Sequence, residues 1–379
     1  MIQRLQIKGF RSLRDVSWEP GRLNVLIGPN GSGKSNLLRA LRLLQQSAQG
    51  ELAEAILRQG GIGSLLWDGQ EQELSWSVKA DPLTYELRLR QLGATSAYRV
   101  EYELLEGERS KSLKSLERRP GHAEVFDAQE RGVIVGGESS VPDAESLLSL
   151  ITGIFENPTL LAFRDRLASW GIYHDLRVDQ DAPLRQPAVA RFEKHVAEDG
   201  QNLIPVLHTL YSSSRDFKND IDTAMRAAFG DDFEDLTFPP AADQRVQMRL
   251  RWRSLKSAQS AADLSDGTIR FLLLLAILAN PEPESLIAID EPEVGLHPGM
   301  LPIVAEFARE ASRRTQVILT THSPQFLDAF RDEPPTTTVA HWVDGETRLS
   351  VVDGEELARW LEEYSLGALF RSGELEAMG

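Results

Sequence analysis

The sequence predicts an α/β fold, a central sheet flanked by helices, and three stretches predict it. An apolar run, Arg22 to Ile27, leads into Gly28-Pro29-Asn30-Gly31-Ser32-Gly33-Lys34-Ser35, and Asn36 to Leu44 then carries apolar residues at helical spacing. A second run, Ser285 to Ile289, ends in Asp290-Glu291-Pro292-Glu293. A third, Val317 to Thr320, ends in Thr321-His322-Ser323-Pro324. Short apolar runs closed by turn residues read as strands buried on both faces. Strands that all present polar groups at their C-terminal ends line the ligand crevice of such a sheet.

The first stretch fits G-x-x-x-x-G-K-[ST] in its required setting of strand, glycine loop and helix. The glycines let backbone N–H groups turn inward as an anion nest, and the helix N-terminus adds partial positive charge. Lys34 is expected to reach the β- and γ-phosphates, and Ser35 to offer its hydroxyl to Mg²⁺. The loop therefore predicts a nucleoside triphosphate as ligand.

Composition narrows the setting. The 379-residue chain is 41% hydrophobic and 26% charged, ordinary values for a globular protein. It has no cysteine, which excludes disulfides, cysteine-ligated zinc and iron–sulfur clusters. The start, Met1 to Ile7, alternates like an edge strand and lacks a signal peptide's apolar core. The longest apolar run, Phe271 to Ala279, is about half a membrane span. A cytoplasmic protein without membrane association is expected. The net charge of −16 argues against bulk affinity for nucleic acid, leaving only local basic strips at Arg109–Arg119 and Arg245–Lys256.

Because the glycine loop lies near the start and the next motif beyond residue 260, the core is expected from both ends, 1–60 and 245–350. Between them, 72–105 alternates as an antiparallel β lobe, and 106–142 is a polar stretch read as a loop or hairpin. Residues 143–240 read as a helical lobe, with helices at Ala144–Glu156, Leu160–Trp170, Ala188–Ala197 and Asn202–Tyr211. Residues 351–379 form a helical tail.

At the rim, Asp290 is expected in the Mg²⁺ shell and Glu291 to orient and polarise the attacking water. A strand followed by an acidic helix cap would leave the same trace. Ser265, ahead of the apolar helix Ile269–Leu278, suits a phosphate, though taken alone it reads more readily as an ordinary N-cap. His322 ends a strand on the same rim, although a lone histidine is more often structural.

Together these residues resemble the head of an ABC-type ATPase of the RecF/SMC/OLD branch. Gly9-Phe10-Arg11-Ser12-Leu13 resembles that branch's first strand turn, and Gly28 to Asn36 its phosphate loop. Leu264-Ser265-Asp266-Gly267-Thr268 resembles its signature, and Asp290 to Pro298 its Walker B segment and D-loop. The resemblance implies a P-loop NTPase with a mixed central sheet and inserted lobes. It implies ATP and Mg²⁺ as ligands, and nucleotide contacts at Arg11, Asn30, Gly31, Ser32, Gly33, Lys34, Ser35 and Asn36. It further implies a homodimer that sandwiches two ATP molecules. Ser265 and Gly267 would act across the dimer, and His322 would sense the γ-phosphate within its own chain. Three departures stand out. No Q-loop glutamine is evident, the long coiled coil is missing, and the stretch after His322 is too short for the Toprim nuclease of OLD enzymes. Such a head would act alone or move a separate effector protein.

Arg245 to Arg253 alternates strictly, placing Arg245, Arg249, Arg251 and Arg253 on one strand face. That face could track double-stranded DNA, or be a solvated face paired with Asp231, Asp232 and Glu234. The functional expectation is an ATP-hydrolysing switch in DNA repair or phage defence. A regulatory module that docks a protein effector with negligible turnover is the alternative.

Overall fold

A six-stranded sheet sets the three predicted stretches side by side in the computed structural model, which describes all residues except 70, 108–113, 128–131, 135–140, 152–156, 331–332 and 379. Its order is Gly171–Tyr173, Leu286–Asp290, Gln316–Thr320, Leu23–Ile27, Thr336–Val343 and Glu346–Val351. The first five strands run parallel, and the last returns antiparallel as a hairpin. The sheet is therefore mixed.

Leu23–Ile27, Leu286–Asp290 and Gln316–Thr320 are buried at every position. Alternate side chains serve opposite layers: Val25, Ile289 and Leu319 enter one core, whereas Leu26, Ala288 and Ile318 enter the other. The first core surrounds the helix Asp266–Leu278, which is apolar on almost every side because almost every side is covered. The second core packs the helix Lys34–Gln49 against an eight-stranded antiparallel sheet. Asn24, a polar intruder in its strand, is satisfied by the carbonyls of Gly21 and Val317.

Several expectations are corrected. Arg4–Phe10 is an interior strand, paired with both Leu13–Trp18 and Glu73–Ala80 rather than lying at an edge. The β lobe is therefore continuous with the N-terminal hairpin. Lys114–Arg119, His122–Phe126 and Gly132–Ile134 extend that same sheet, so the described part of 106–142 takes the hairpin alternative rather than the loop. Part of the basic strip Arg109–Arg119 lies outside the described residues, as does the end of the expected helix Ala144–Glu156. Ala188–Ala197 is not a helix. Ala188–Val189 pairs with Arg245–Val246, and the Glu193 and Ala197 amides bond to Thr209 and Asn202 side chains, so tertiary partners take the groups a helix would use. Gly171–Tyr173, expected inside the helical lobe, is a strand of the central sheet.

The arginine strand also divides. Arg245–Val246 and Arg249–Trp252 belong to two separate small sheets, with the chain turning between them. Alternation persists because Val246, Met248 and Leu250 are buried, but Arg251 pairs with Glu234 and Asp235. A continuous four-arginine track along one strand is therefore not formed.

Leu319 sits at the centre of the sheet, fully buried. Leu319→Ala should lower unfolding stability by about 2–5 kcal/mol, read as a lower urea midpoint.

Candidate nucleotide site

Leu23–Ile27 delivers the glycine loop to the sheet's C-terminal rim. Gly28, Gly31 and Gly33 all adopt positive φ, turning the loop so that the helix Lys34–Gln49 starts directly from it. Gly33 has a second reason to be glycine. A Cβ there would sit 2.0 Å from Thr347 Oγ1 and 2.8 Å from Ser12 Oγ. These two hydroxyls clamp the loop from outside: Thr347 Oγ1 donates to the Ser32 carbonyl at 2.9 Å, and Asn36 Nδ2 donates to Ser12 Oγ at 2.8 Å. Arg11, in contrast, turns away from the loop and donates to Gln59 Oε1 at 3.1 Å.

The Lys34 ammonium folds back onto the carbonyls of Gly28 (2.7 Å) and Pro29 (3.1 Å). Burial pushes its pKa down, against the raising fields of Glu291, Asp290 and Glu293. Ser32 Oγ is buried in the same cradle without a hydrogen-bond partner. A buried cation resting on carbonyls, an orphaned hydroxyl and a helix N-terminus together fit a polyphosphate.

Asp290 gathers three neighbours. Ser35 Oγ donates to its Oδ2 at 3.1 Å, and Thr320 Oγ1, its cross-strand partner, donates to Oδ1. His174 Nδ1 lies 2.5 Å from Oδ2, close enough to pair although not lined up as a hydrogen bond. Burial pushes the Asp290 carboxyl up, but the contacts from His174, Thr320 and Ser35 outweigh it and hold the pKa below its ordinary value. The hard oxygens of Ser35 and Asp290 suit Mg²⁺.

Glu291 has φ 47°, a left-handed backbone unusual for a side chain this size. Its amide donates to Thr320 Oγ1 at 3.1 Å and its carbonyl accepts from Arg270 Nη2 at 3.1 Å, which holds the turn. The carboxylate is thereby carried to His322 Nδ1 at 3.0 Å. Glu291 and His322, both expected on this rim, thus meet side chain to side chain. Behind it, Glu293 accepts from Thr321 Oγ1 and, at 3.4 Å, from the His322 amide. Burial raises the Glu293 pKa, exceeding the lowering effect of those hydrogen bonds.

Ser265 caps the helix Asp266–Leu278, its Oγ accepting from the Thr268 amide at 3.2 Å. A Cβ on Gly267 would lie 2.7 Å from the Gly295 carbonyl, so signature and D-loop are packed together in one chain. Among the described residues no hydrogen bond joins Ser265 or Gly267 to the phosphate loop.

Sequence reasoning missed His174, Thr347 and Arg185. Arg185 is almost wholly buried, and it donates to the carbonyls of Val178, Ala261 and Leu264 and to Asp266 Oδ1 at 2.5 Å. It ties the segment after His174 to the signature. The one signal available was local: Gly171-Ile172-Tyr173 is an apolar triplet ending in a polar residue, like the other rim strands.

Glu293 yields a pH prediction. Its folded pKa is raised, so ionisation costs the fold, and stability should decline as pH rises from about 4.3 through the folded value. Glu293→Gln should flatten that slope in denaturation measured across mildly acidic pH.

The family model described as "AAA domain, putative AbiEii toxin, Type IV TA system" matches residues 23–328, well over half of the chain. The OLD nuclease of Thermus scotoductus is 24% identical over 355 residues, with 88% of this chain aligned to 61% of that protein. The chain thus spans under two thirds of that relative's length. Among solved structures, an Smc head bound to the C-winged helix domain of ScpA has a TM-score of 0.54 at 15% identity, over 94% of this chain and 99% of that one. An Smc head with an extended coiled coil, bound to the C-terminal domain of ScpA derived from Pyrococcus furiosus, gives 0.53 at 15% identity, over 96% and 98%. At such identity the likeness shows fold. The chain belongs to the family so described, and its fold is that of the Smc heads.

Proposed function

We propose that the chain binds ATP with Mg²⁺ and hydrolyses it to ADP and phosphate, acting as a switch that dimerises around the nucleotide. One observation carries the reading: Ser35 Oγ and Asp290 Oδ2 stand 3.1 Å apart across 255 residues of sequence, beside Lys34 and the Glu291–His322 pair. A pure phosphate binder has no need of Glu291.

In this reading the loop amides hold the phosphate oxygens, and Lys34 exchanges the carbonyls of Gly28 and Pro29 for them. Ser35 and Asp290 would hold the metal, which would supply charge neutralisation to the phosphates. Glu291 accepts the proton of the attacking water, and His322 fixes the direction of that carboxylate. Ser265 and Gly267 are left to face a second copy's nucleotide, since their described hydrogen bonds stay within their own turn. Val294, 43% exposed in the packed D-loop, supports an interface there.

The relationship to OLD nuclease and the family's description support a role in DNA maintenance or phage defence. A separate protein partner is also proposed, because Smc heads of this fold are seen bound to ScpA domains. A cytoplasmic setting suits an ATP-dependent switch, and no described helix is long and apolar enough to cross a membrane.

Phosphate release by the purified chain tests the reading. Glu291→Gln should slow it by about 10²- to 10⁴-fold and accumulate ATP-bound dimer in light scattering. Lys34→Ala should weaken ATP binding about 10- to 100-fold by calorimetry. Hydrolysis at the parent rate in Glu291→Gln would remove Glu291 from its role.

A further inference from the structure

On the outward face of the helix Lys34–Gln49, Arg39 and Arg42 look into an opening of about 290 Å³. Arg58 and Gln59, at the end of the helix Leu52–Arg58, and Arg11 close its other walls, while His174 and the exposed Asp175 form its far side. Four arginines drawn from 48 residues of sequence meet here in a chain of net charge −16.

Their partners are unequal. Arg42 pairs with Glu198, and Arg58 with Glu54 at 2.5 Å. Among the described residues, no carboxylate lies at ion-pair distance from Arg11 or Arg39. Arg39 bonds to Asn36 Oδ1 at 3.5 Å and His174 Nε2 at 3.0 Å, and Arg11 to Gln59. Arg11 Nε is buried without any partner. Burial, and then the charge of Arg39, lower the Arg11 pKa. Two half-buried cations that repel one another, one with an orphaned N–H, make a setting that an anion between them relieves. Planar guanidinium forks match the oxygens of a phosphoryl group, and two of them match its charge better than they match the single charge of a carboxylate.

Arg39 also connects this opening to the rim. A guanidinium only donates, so His174 Nε2 accepts and the ring's proton sits on Nδ1, the nitrogen 2.5 Å from Asp290 Oδ2. An anion that draws Arg39 toward itself removes the donor that sets this tautomer.

We propose that this pocket is a second oxyanion site, separate from the phosphate loop, which takes a phosphoryl group and signals its presence to Asp290 through Arg39 and His174. The phosphoryl group comes either from a nucleic-acid backbone or from a free phosphorylated small molecule, and both sources present the same chemistry. The site stands whether or not the chain hydrolyses ATP.

Calorimetry on the full chain with inorganic pyrophosphate, in a Lys34→Ala background that disables the loop, tests it. One binding event should persist, and adding Arg11→Gln with Arg39→Gln should weaken it at least about tenfold. Arg58→Glu, at an exposed lip residue, should weaken it too without disturbing packing, and thermal melting checks that each variant is folded. A short DNA duplex whose binding falls with the same substitutions identifies the nucleic-acid source. Duplex binding that ignores them, while pyrophosphate responds, identifies the small-molecule source. The His174 ring ¹⁵N signals, assigned by His174→Gln, should shift as pyrophosphate is added. Loss of all pyrophosphate binding in Lys34→Ala, or unchanged affinity in the arginine variants, overturns the site; unmoved His174 signals overturn the relay. If instead Lys34→Ala leaves ATP binding intact, the nucleotide reading fails and this site remains.

Discussion

Asp290 is the residue on which the rest of the rim depends. One buried carboxylate receives Ser35 from the loop helix, Thr320 from one neighbouring strand and His174 from the other. Each contact is a consequence of register: Asp290 lies opposite Thr320, and Tyr173 opposite Ile289. A slip of one residue would turn every side chain to the other layer and bury the carboxylate without donors. The apolar alternation that builds two cores therefore also places the chemistry.

A second shell of small groups sets how closely backbones approach. Gly33 admits the hydroxyls of Ser12 and Thr347, and Gly28 lies where a Cβ would meet the Ala340 carbonyl at 2.3 Å. The N-terminal and C-terminal hairpins thus grip the loop from one side. On the other side, Arg270 joins the Glu291 turn to the signature helix, and Arg185 joins the signature to the segment after His174. The Glu291 turn, the helix Asp266–Leu278 and the segment after His174 are thus joined by side-chain hydrogen bonds within one chain.

The parts legible in the sequence were those whose chemistry is local. Gly28 to Ser35 and Asp290–Glu291 each announce themselves in under ten residues, and the strands bearing them are long enough to show continuous burial. His174 was hidden because its strand has three residues, too few for any period, inside a stretch of helical spacing. Thr347 was hidden because its partners, Ser12 and Ser32, lie more than 300 residues away. The arginine strand misled in the opposite sense. Its alternation was real, yet Gln247 and Met248 carry the chain from one small sheet to another, which a period of two does not reveal. Ala188–Ala197 failed for a related reason, since neighbouring segments took the backbone groups that a helix would have used.

The order in which the central strands meet has a consequence for how the protein comes into being. Leu23–Ile27 leaves the ribosome well before both strands that flank it, Asn24 reaching Val317 across 293 residues. At ordinary translation rates that wait is roughly 15 to 60 s. The helix Lys34–Gln49 and the antiparallel sheet can cover one face of the strand meanwhile, while its hydrogen-bonding edges stay open. A nascent chain therefore carries the glycine motif long before the partners that hold it. The contacts of Asp290 with Ser35 and of Thr347 with the Ser32 carbonyl form only after that wait.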